Sequence, residues 1–306
     1  MTITAIILVL ISTFMHAGWN FFGKKSSPTL GFFFLTMVAG ALIFSPMVFI
    51  HWELVQAFDK NIIILLFMTG LFQSFYLWGL AEAYKAGDMS IAYPIARSSP
   101  LIIVCITSFF LGQQDNVSVQ AVVGIVLILF GCLFIPLQSF NEFKFANYQN
   151  RTTAFAIVAA FATAGYSLVD NQATQLMRGL TNDAGEAIAS ASEVALVYVT
   201  LQSTFAVFWM LWFVIITKKQ RTEINLLIKN QWQAALLTGG LMLGTYALVI
   251  LSMAFVDNVS YVVAFRQFSI PLGVLFAVIG FKESLKLPKI IGVSITFIGL
   301  IAVALG

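Results

Sequence analysis

The sequence is 306 residues long, with 60% hydrophobic and only 9% charged residues. Soluble domains carry about a quarter charged residues. The mean hydropathy of +0.94 therefore excludes a soluble protein and indicates a polytopic membrane protein. The net charge of +3 is spread over loops, and no basic run is interleaved with aromatic residues, so no nucleic-acid partner is expected.

Ten apolar runs have roughly the 20 residues that a helix needs to cross a bilayer. The first run begins at once without a basic start, so it is interpreted as a membrane helix and not as a cleaved signal peptide. Three polar connectors, 138–152, 174–191 and 217–231, are too short for a soluble domain. The sequence thus predicts an all-α membrane protein whose ten helices cover residues 3–22, 30–50, 62–84, 89–111, 118–137, 153–173, 192–216, 232–254, 259–280 and 287–305.

An internal repeat relates the two halves of the chain. Residues 17–20 (Ala-Gly-Trp-Asn) are similar to residues 164–167 (Ala-Gly-Tyr-Ser), and Arg97 in the fourth predicted helix corresponds to Arg266 in the ninth. Three glycines recur 168 residues later: Gly112, Gly124 and Gly131 as Gly280, Gly292 and Gly299. We therefore predict two five-helix repeats, 1–137 and 153–306, joined by the connector 138–152. The odd number of helices inverts the second repeat in the membrane.

Two arginines inside apolar runs are the strongest functional signal. Arg97 and Arg266 are costly at that depth and need partners. Pro94, Pro100 and Pro271 near them remove helix hydrogen bonds, which membranes tolerate only against protein or a water-lined cavity. Because inverted-repeat transporters bind substrate near the midplane, the pair predicts a site for a carboxylate or phosphate. The alternative is a structural role, tying broken-helix carbonyls to a carboxylate.

Three further residues are candidates for binding a proton or pairing with an arginine. Glu82 and Asp170 lie at the ends of the third and sixth predicted helices, where either could equally be an interfacial charge. His16 lies deep in the first helix, where a lone histidine is also a common packing residue.

Aromatic and amide side chains complete the predicted site. Trp19, Asn20, Tyr93 and Tyr166 would line one cavity if the repeats pair around an axis, although aromatic residues near helix ends are also ordinary interface anchors. Gln267, next to Arg266, is included as a substrate contact. No metal site is expected, because Cys105 and Cys132 lie inside apolar runs without His or Cys neighbours.

The distribution of basic residues predicts the orientation. With a cytoplasmic N-terminus, only Lys60 and Arg178 would lie on the cytoplasmic side, and twelve Lys and Arg residues on the other. Since basic residues favour cytoplasmic loops, both termini are predicted to lie outside.

Several motifs together resemble one known family. They are His16-Ala17-Gly18-Trp19-Asn20 with Lys24, Tyr93-Pro94-Ile95-Ala96-Arg97, Asp170 after Tyr166, Arg266-Gln267-Phe268-Ser269, and Lys282-Glu283-Ser284-Leu285. Over nearly the whole chain they are similar to the drug/metabolite transporter superfamily, specifically the ten-helix type with two EamA domains. The resemblance implies a bacterial inner-membrane secondary transporter for a small metabolite, with no covalent cofactor. Two positions depart from the family pattern, Gln113 after Gly112 and Gln267 after Arg266, where family members often carry Glu.

The sequence therefore predicts a monomeric transporter that works by alternating access on a small polar metabolite bearing a carboxylate or phosphate. Protons are the expected coupling ion, through Asp170 or His16. The alternatives are broad efflux of lipophilic cations, a lipid-linked sugar flippase, and a non-transporting sensor. An intramembrane enzyme is disfavoured, because the sequence has no Ser/His/Asp constellation, no phosphate loop and only two histidines.

Overall fold

The computed structural model describes residues 2–26, 29–86, 96, 118–134, 137–142, 144, 149–215, 218–257, 259–282 and 285–305. Within these residues the chain is a bundle of long helices, and seven of them are long and apolar enough to span a membrane. The helices are α1 Ile3–Lys25, α2 Leu30–Ile50, α3 Lys60–Ala86, α4 Val119–Phe134, α5 Arg151–Arg178, α6 Ala191–Ile215, α7 Lys218–Met253, α8 Val259–Phe265, α9 Ser269–Phe281 and α10 Leu287–Leu305, with a short unnumbered helix, Trp52–Gln56, between α2 and α3.

Side-chain caps define where several of these helices begin. Thr2, Thr29 and Asn150 each accept a hydrogen bond from the backbone N–H three residues later, which satisfies a donor that the first helical turn leaves unpaired. Inside the spans, serine and threonine hydroxyls donate back to the preceding turn, as Thr163 does to the Ala159 carbonyl at 2.8 Å. Polar residues are thereby accommodated in apolar helices.

Nine of the ten predicted helices fall on described residues and are helical there, while the predicted helix 89–111 lies outside them, apart from Ala96. Two predicted boundaries are wrong. The sixth predicted helix continues to Arg178, beyond the predicted end at 173. The predicted connector 217–231 is mostly helical, because Lys218–Asn230 continues into the next span through a bend at Gln231.

The ninth predicted helix is interrupted. α8 ends at Phe265, a 3₁₀ turn covers Arg266–Phe268, and α9 begins at Ser269, two residues before Pro271. Proline is compatible with the first turn of a helix but not with its interior, so the break falls just before it. This 3₁₀ turn places Arg266 at the point where the two half-helices meet.

The most extensive helix contacts join the first half of the chain to the second. They are α3 with α5, α4 with α10, α1 with α7, α2 with α7, α2 with α6, and α3 with α6. Glycine lets several of these backbones approach closely, as in membrane helix pairs generally. On α3, for example, a Cβ at Gly79 would lie 3.0 Å from the Phe155 carbonyl of α5.

One face of the bundle is held together by contacts between helix ends. The Thr2 hydroxyl donates to the Phe255 carbonyl at 3.2 Å, and His51 lies 3.9 Å from Glu193. The Ser118 N–H donates to the Tyr261 hydroxyl at 3.4 Å. The starts of α1, α4, α6 and α8 therefore lie on the same face as the end of α2.

Candidate functional site

A small polar cavity lies between helices of both halves. Five polar side chains line it: His16, Gln73, Gln202, Thr245 and Arg266. Its volume of about 30 Å³ has room for roughly two water molecules at 10–15 Å³ each. Polar residues in membrane helices face the bundle interior when they serve a pathway or a site, so this cavity is the candidate functional site.

Arg266 lies in the 3₁₀ turn and is only 5% exposed. Its guanidinium lies 5.4 Å from the centre of the Tyr246 ring, a cation–π contact. It is also within hydrogen-bonding reach of the Tyr166 hydroxyl. A guanidinium presents five donors in a planar fork, so a buried arginine in a cavity suits a carboxylate or phosphate group.

Asp170 on α5 is fully buried behind the cavity. Its Oδ1 accepts hydrogen bonds from Thr69 of α3 and, at 2.5 Å, from Tyr198 of α6. Its Oδ2 accepts from Tyr246 of α7 and, at 3.3 Å, from Gln202 of α6. Asp170 therefore connects four helices, and it lies two turns before the end of α5, deeper than the helix end at which the sequence placed it.

His16 and Trp19 form a pair on α1. The Trp19 indole N–H donates to His16 Nδ1 at 3.1 Å, and the two rings meet edge to face at 4.9 Å. Because Nδ1 accepts a hydrogen bond, the imidazole is held as the neutral tautomer with its proton on Nε2. Asn20 is half-buried and donates to the His16 carbonyl at 2.9 Å, so it braces the pair without lining the cavity.

Three tyrosines form one wall of the cavity. The rings of Tyr76 and Tyr166 meet at 5.8 Å, and those of Tyr166 and Tyr246 at 5.7 Å, both nearly perpendicular. Met37 and Met242 add apolar surface. The wall thus offers ring faces and hydroxyls beside the Arg266 charge.

The remaining predicted site residues lie elsewhere. Gln267 is buried, and its amide donates to the Val263 carbonyl at 3.1 Å, but it does not line the cavity. Glu82 is partly exposed near the end of α3 and forms an ion pair with Lys85 at 2.8 Å. Arg97 and Tyr93 lie outside the described residues.

Sequence reasoning missed the residues that bind Asp170: Thr69, Tyr198, Gln202 and Tyr246. A signal existed, because polar pairs four residues apart occupy one face of each of three apolar helices. The pairs are Thr69 with Gln73, Tyr166 with Asp170, and Tyr198 with Gln202. Side chains four apart lie on the same helix face, so each pair indicates a buried polar stripe. Among the described residues, no group of three or more His, Cys, Asp or Glu side chains could hold a metal ion.

Residues 3–137 match the model of the EamA-like transporter family. This segment, 135 of the 306 residues, is thus similar to the EamA-like transporter family, as the motifs predicted. The matched family is one of membrane transporters, and the seven apolar helices long enough to cross a membrane are those of a multi-pass membrane protein. No curated protein matches the sequence.

A solved crystal structure, described only as that of a protein, shares the fold of this chain. The similarity covers 99% of this chain and 94% of the other, with a TM-score of 0.63 and 17% sequence identity. At that identity the similarity concerns the fold alone.

Proposed function

We propose that this chain is a secondary active transporter of a small polar metabolite bearing a carboxylate or phosphate. The observation that carries the proposal is Arg266, a buried cation lining a cavity at a break between two half-helices. Discontinuous membrane helices form the substrate sites of many secondary transporters. Arg266 would bind the anionic group, with Tyr166, Trp19 and His16 around the rest of the substrate.

Alternating access is proposed for the mechanism. The cavity has room for about two water molecules, a volume smaller than that of any metabolite. It must therefore widen to admit substrate from either side. The interrupted segment Arg266–Phe268 is suited to such movement, because hinges lie at the ends of regular elements. Asp170 is proposed as the proton-coupling group, since intramembrane carboxylates serve proton relays.

Two inverted repeats, 1–137 and 153–306, are proposed for the architecture. The set of extensive helix pairs stays the same when each helix is exchanged with its proposed equivalent in the other repeat. The equivalent helices are α1 and α5, α2 and α6, α3 and α7, and α4 and α10. The pair α3–α5 becomes α7–α1, α2–α7 becomes α6–α3, and the pairs α2–α6 and α4–α10 become themselves. A two-fold relation between repeats produces this pattern.

Ten spans are proposed, with the fourth between α3 and α4. α3 begins beside His51 on the face described above, so its end at Ala86 lies on the opposite face. Ser118, where α4 begins, lies on the same face as His51. The predicted span 89–111 lies outside the described residues apart from Ala96, so the proposal of a fourth span rests on the sequence. Both termini are proposed to lie outside a bacterial inner membrane, and the simplest assembly is a monomer.

The test is a thermal-shift and binding screen of the purified protein against amino acids, organic acids, phosphorylated metabolites and lipophilic cations. A ligand that binds only the folded state stabilises it by about 2.7 kcal/mol at a hundredfold excess over its dissociation constant. Arg266→Gln should abolish the stabilisation by anions. Arg151→Gln is the matched control, because Arg151 also lies over an aromatic ring, that of Phe155 at 5.9 Å, but lies outside the cavity.

Two results would contradict the proposal. Anions that stabilise the wild type and Arg266→Gln equally would return Arg266 to a structural role. Stabilisation by lipophilic cations alone, unaffected by the substitution, would favour the efflux alternative, in which the cavity tyrosines and Asp170 attract a cation.

A further inference from the structure

Tyr246 contacts both charged groups of the site. Its ring lies beneath the Arg266 guanidinium, and its hydroxyl donates to Asp170 Oδ2. Arg266 lines the cavity, whereas Asp170 does not. Tyr246 therefore stands between the proposed anion site and a buried carboxylate that substrate does not reach.

The carboxylate of Asp170 has no vacant acceptor position for a proton of its own. Thr69 and Tyr198 donate to Oδ1, and Gln202 and Tyr246 donate to Oδ2. A carboxylate accepts about four hydrogen bonds, so this arrangement fits the ionised form. Asp170 can be protonated only if one of these four groups stops donating to it and instead accepts a hydrogen bond from the new Asp170 O–H.

Tyr246 is the donor best placed to redirect its hydrogen away from Asp170. Thr69 and Tyr198 do not line the cavity. Gln202 lines it, but its amide nitrogen already donates to both Thr69 and Asp170, at 3.2 and 3.3 Å. The Tyr246 hydroxyl carries a single hydrogen and its side chain lines the cavity, so rotation about the C–O bond can redirect that hydrogen from Asp170 towards a ligand beside Arg266.

We propose that the Tyr246 hydroxyl is a switch that couples anion binding to protonation of Asp170. This inference rests on the proposed anion site at Arg266. The hydroxyl donates to Asp170 when no anion is bound, and to the anion when one binds. Asp170 then takes one proton from the aqueous phase and donates it in a hydrogen bond to the Tyr246 oxygen. The Tyr246 O–H bond stays intact throughout.

The charges of the described residues favour this exchange. Arg266 and Asp170 balance one another, and an anion would add an uncompensated buried charge, which is costly. One proton on Asp170 restores the balance. The other titratable side chains of the described residues that face the site are Tyr76 on α3, Tyr166 on α5, Tyr198 on α6 and His16 on α1.

The experiment measures proton uptake when the purified full-length protein binds phenylacetate, a monocarboxylate with an aromatic ring that is already ionised at neutral pH. An indicator dye reports the protons, and calorimetry reports affinity between pH 5 and 8. The wild type should take up about one proton per anion and lose affinity by up to about tenfold per pH unit as pH rises.

Two tyrosine variants separate coupling from simple damage to the site. Tyr246→Phe keeps the ring under Arg266 and loses the hydroxyl, so it should bind the anion with no proton uptake and a flat pH profile. Tyr198→Phe is the matched control, because it removes a hydroxyl from the same carboxylate without touching the cavity. It should retain an uptake of about one proton per anion.

Asp170→Asn provides a second test that does not depend on the folding of Tyr246→Phe. Its side chain resembles the protonated acid, so at pH 8 it should bind the anion as tightly as the wild type does in acid, with no proton uptake. Weaker binding by Asp170→Asn at every pH would overturn the inference. So would proton uptake that persists in Tyr246→Phe, or that disappears equally in both tyrosine variants.

A different result is expected if Arg266 does not form an anion-binding site. If the wild type does not bind phenylacetate, or if Arg266→Gln binds it as well as the wild type, the proposed function falls before any tyrosine variant is compared. The inference about Tyr246 falls with it.

Discussion

Gly124 of α4 and Gly299 of α10 are in reciprocal backbone contact. A Cβ added to either glycine would lie 2.6 Å from the carbonyl oxygen of the other. The repeat offset of 168 residues relates Gly124 to Gly292 and Gly299 to Gly131. The equivalent contact therefore joins Gly292 and Gly131. There a Cβ at Gly131 would again lie 2.6 Å from the Gly292 carbonyl. The offset found in the sequence thus relates two contacts in one antiparallel helix pair, which supports the proposed two-fold relation.

Close glycine contacts should be intolerant of a single added methyl group. On α7, a Cβ at Gly239 would meet the Thr36 carbonyl of α2 and lie 2.9 Å from the Gly40 nitrogen. Gly239→Ala should therefore lower stability by about 1–3 kcal/mol, the usual cost of overpacking. The neighbouring Gly240→Ala is the control, because its Cβ would meet only Ile43 at 3.5 Å, an ordinary contact. Thermal unfolding in detergent measures both, and equal effects would contradict the packing described for α2 and α7.

The two acidic side chains predicted for coupling should differ strongly in their contribution to stability. Asp170→Ala leaves four buried donors without their acceptor, and removing one partner of a buried charged network costs on the order of 3–5 kcal/mol. Glu82→Ala removes a partly exposed ion pair with Lys85, worth about 0–1 kcal/mol. Chemical denaturation of both variants measures the contrast. A similar small loss in each would show that Asp170 is not the structural centre of the site.

Arginine at position 266 should not be replaceable by lysine. A lysine keeps the positive charge but loses both the planar fork and the stacking on Tyr246. We expect Arg266→Lys to weaken anion binding at least about tenfold, which corresponds to the loss of one charge-assisted hydrogen bond. Calorimetry with the anions found in the screen measures it, and Arg151→Lys should bind as the wild type does. Full affinity in Arg266→Lys would mean that charge alone recognises the substrate.

The distribution of Lys and Arg residues predicts which face of the protein is cytoplasmic, and thiol labelling can check this prediction. Arg221, in the helical segment before the Gln231 bend, and Asp183, in the loop between α5 and α6, are both exposed. In a background with Cys105 and Cys132 replaced by serine, an impermeant thiol reagent should label Asp183→Cys from outside the cell. It should label Arg221→Cys only after the membrane is opened. The reverse pattern would place both termini in the cytoplasm.

The sequence was sufficient to predict the nine helices that fall on described residues, because an apolar run of fixed length is a direct signal of a span. It was not sufficient for helix ends outside the hydrocarbon layer. The segment after Asp170 is polar enough to resemble a membrane exit, yet Asp170, Ala173, Thr174 and Met177 are buried along one face of α5. Residues 218–230 contain good helix formers and remain helical beyond the span, where hydropathy carries no information.

The residues that are conspicuous alone lie together in the structure, and their role as a binding site stays a prediction. Arg266, His16, Trp19 and Tyr166 were expected in one cavity, and the structure places all four around it. The hydroxyl and amide groups that bind Asp170 were missed, because single threonines, glutamines and tyrosines are common in apolar helices. Only their distances across four helices show that they act together.

The contact between the two halves through Asp170 has a consequence for biosynthesis. Thr69 is synthesised in the first half, but the groups that surround it, Asp170, Tyr198 and Gln202, are all in the second. Among the described residues, the most extensive helix pairs likewise join the two halves, so each half depends on the other for most of its packing there. The Thr69 hydroxyl of α3 therefore lacks these hydrogen-bond partners until α5 and α6 have been synthesised and inserted into the membrane. A chain truncated near Asn150 should consequently be degraded and not persist as an independent five-helix unit.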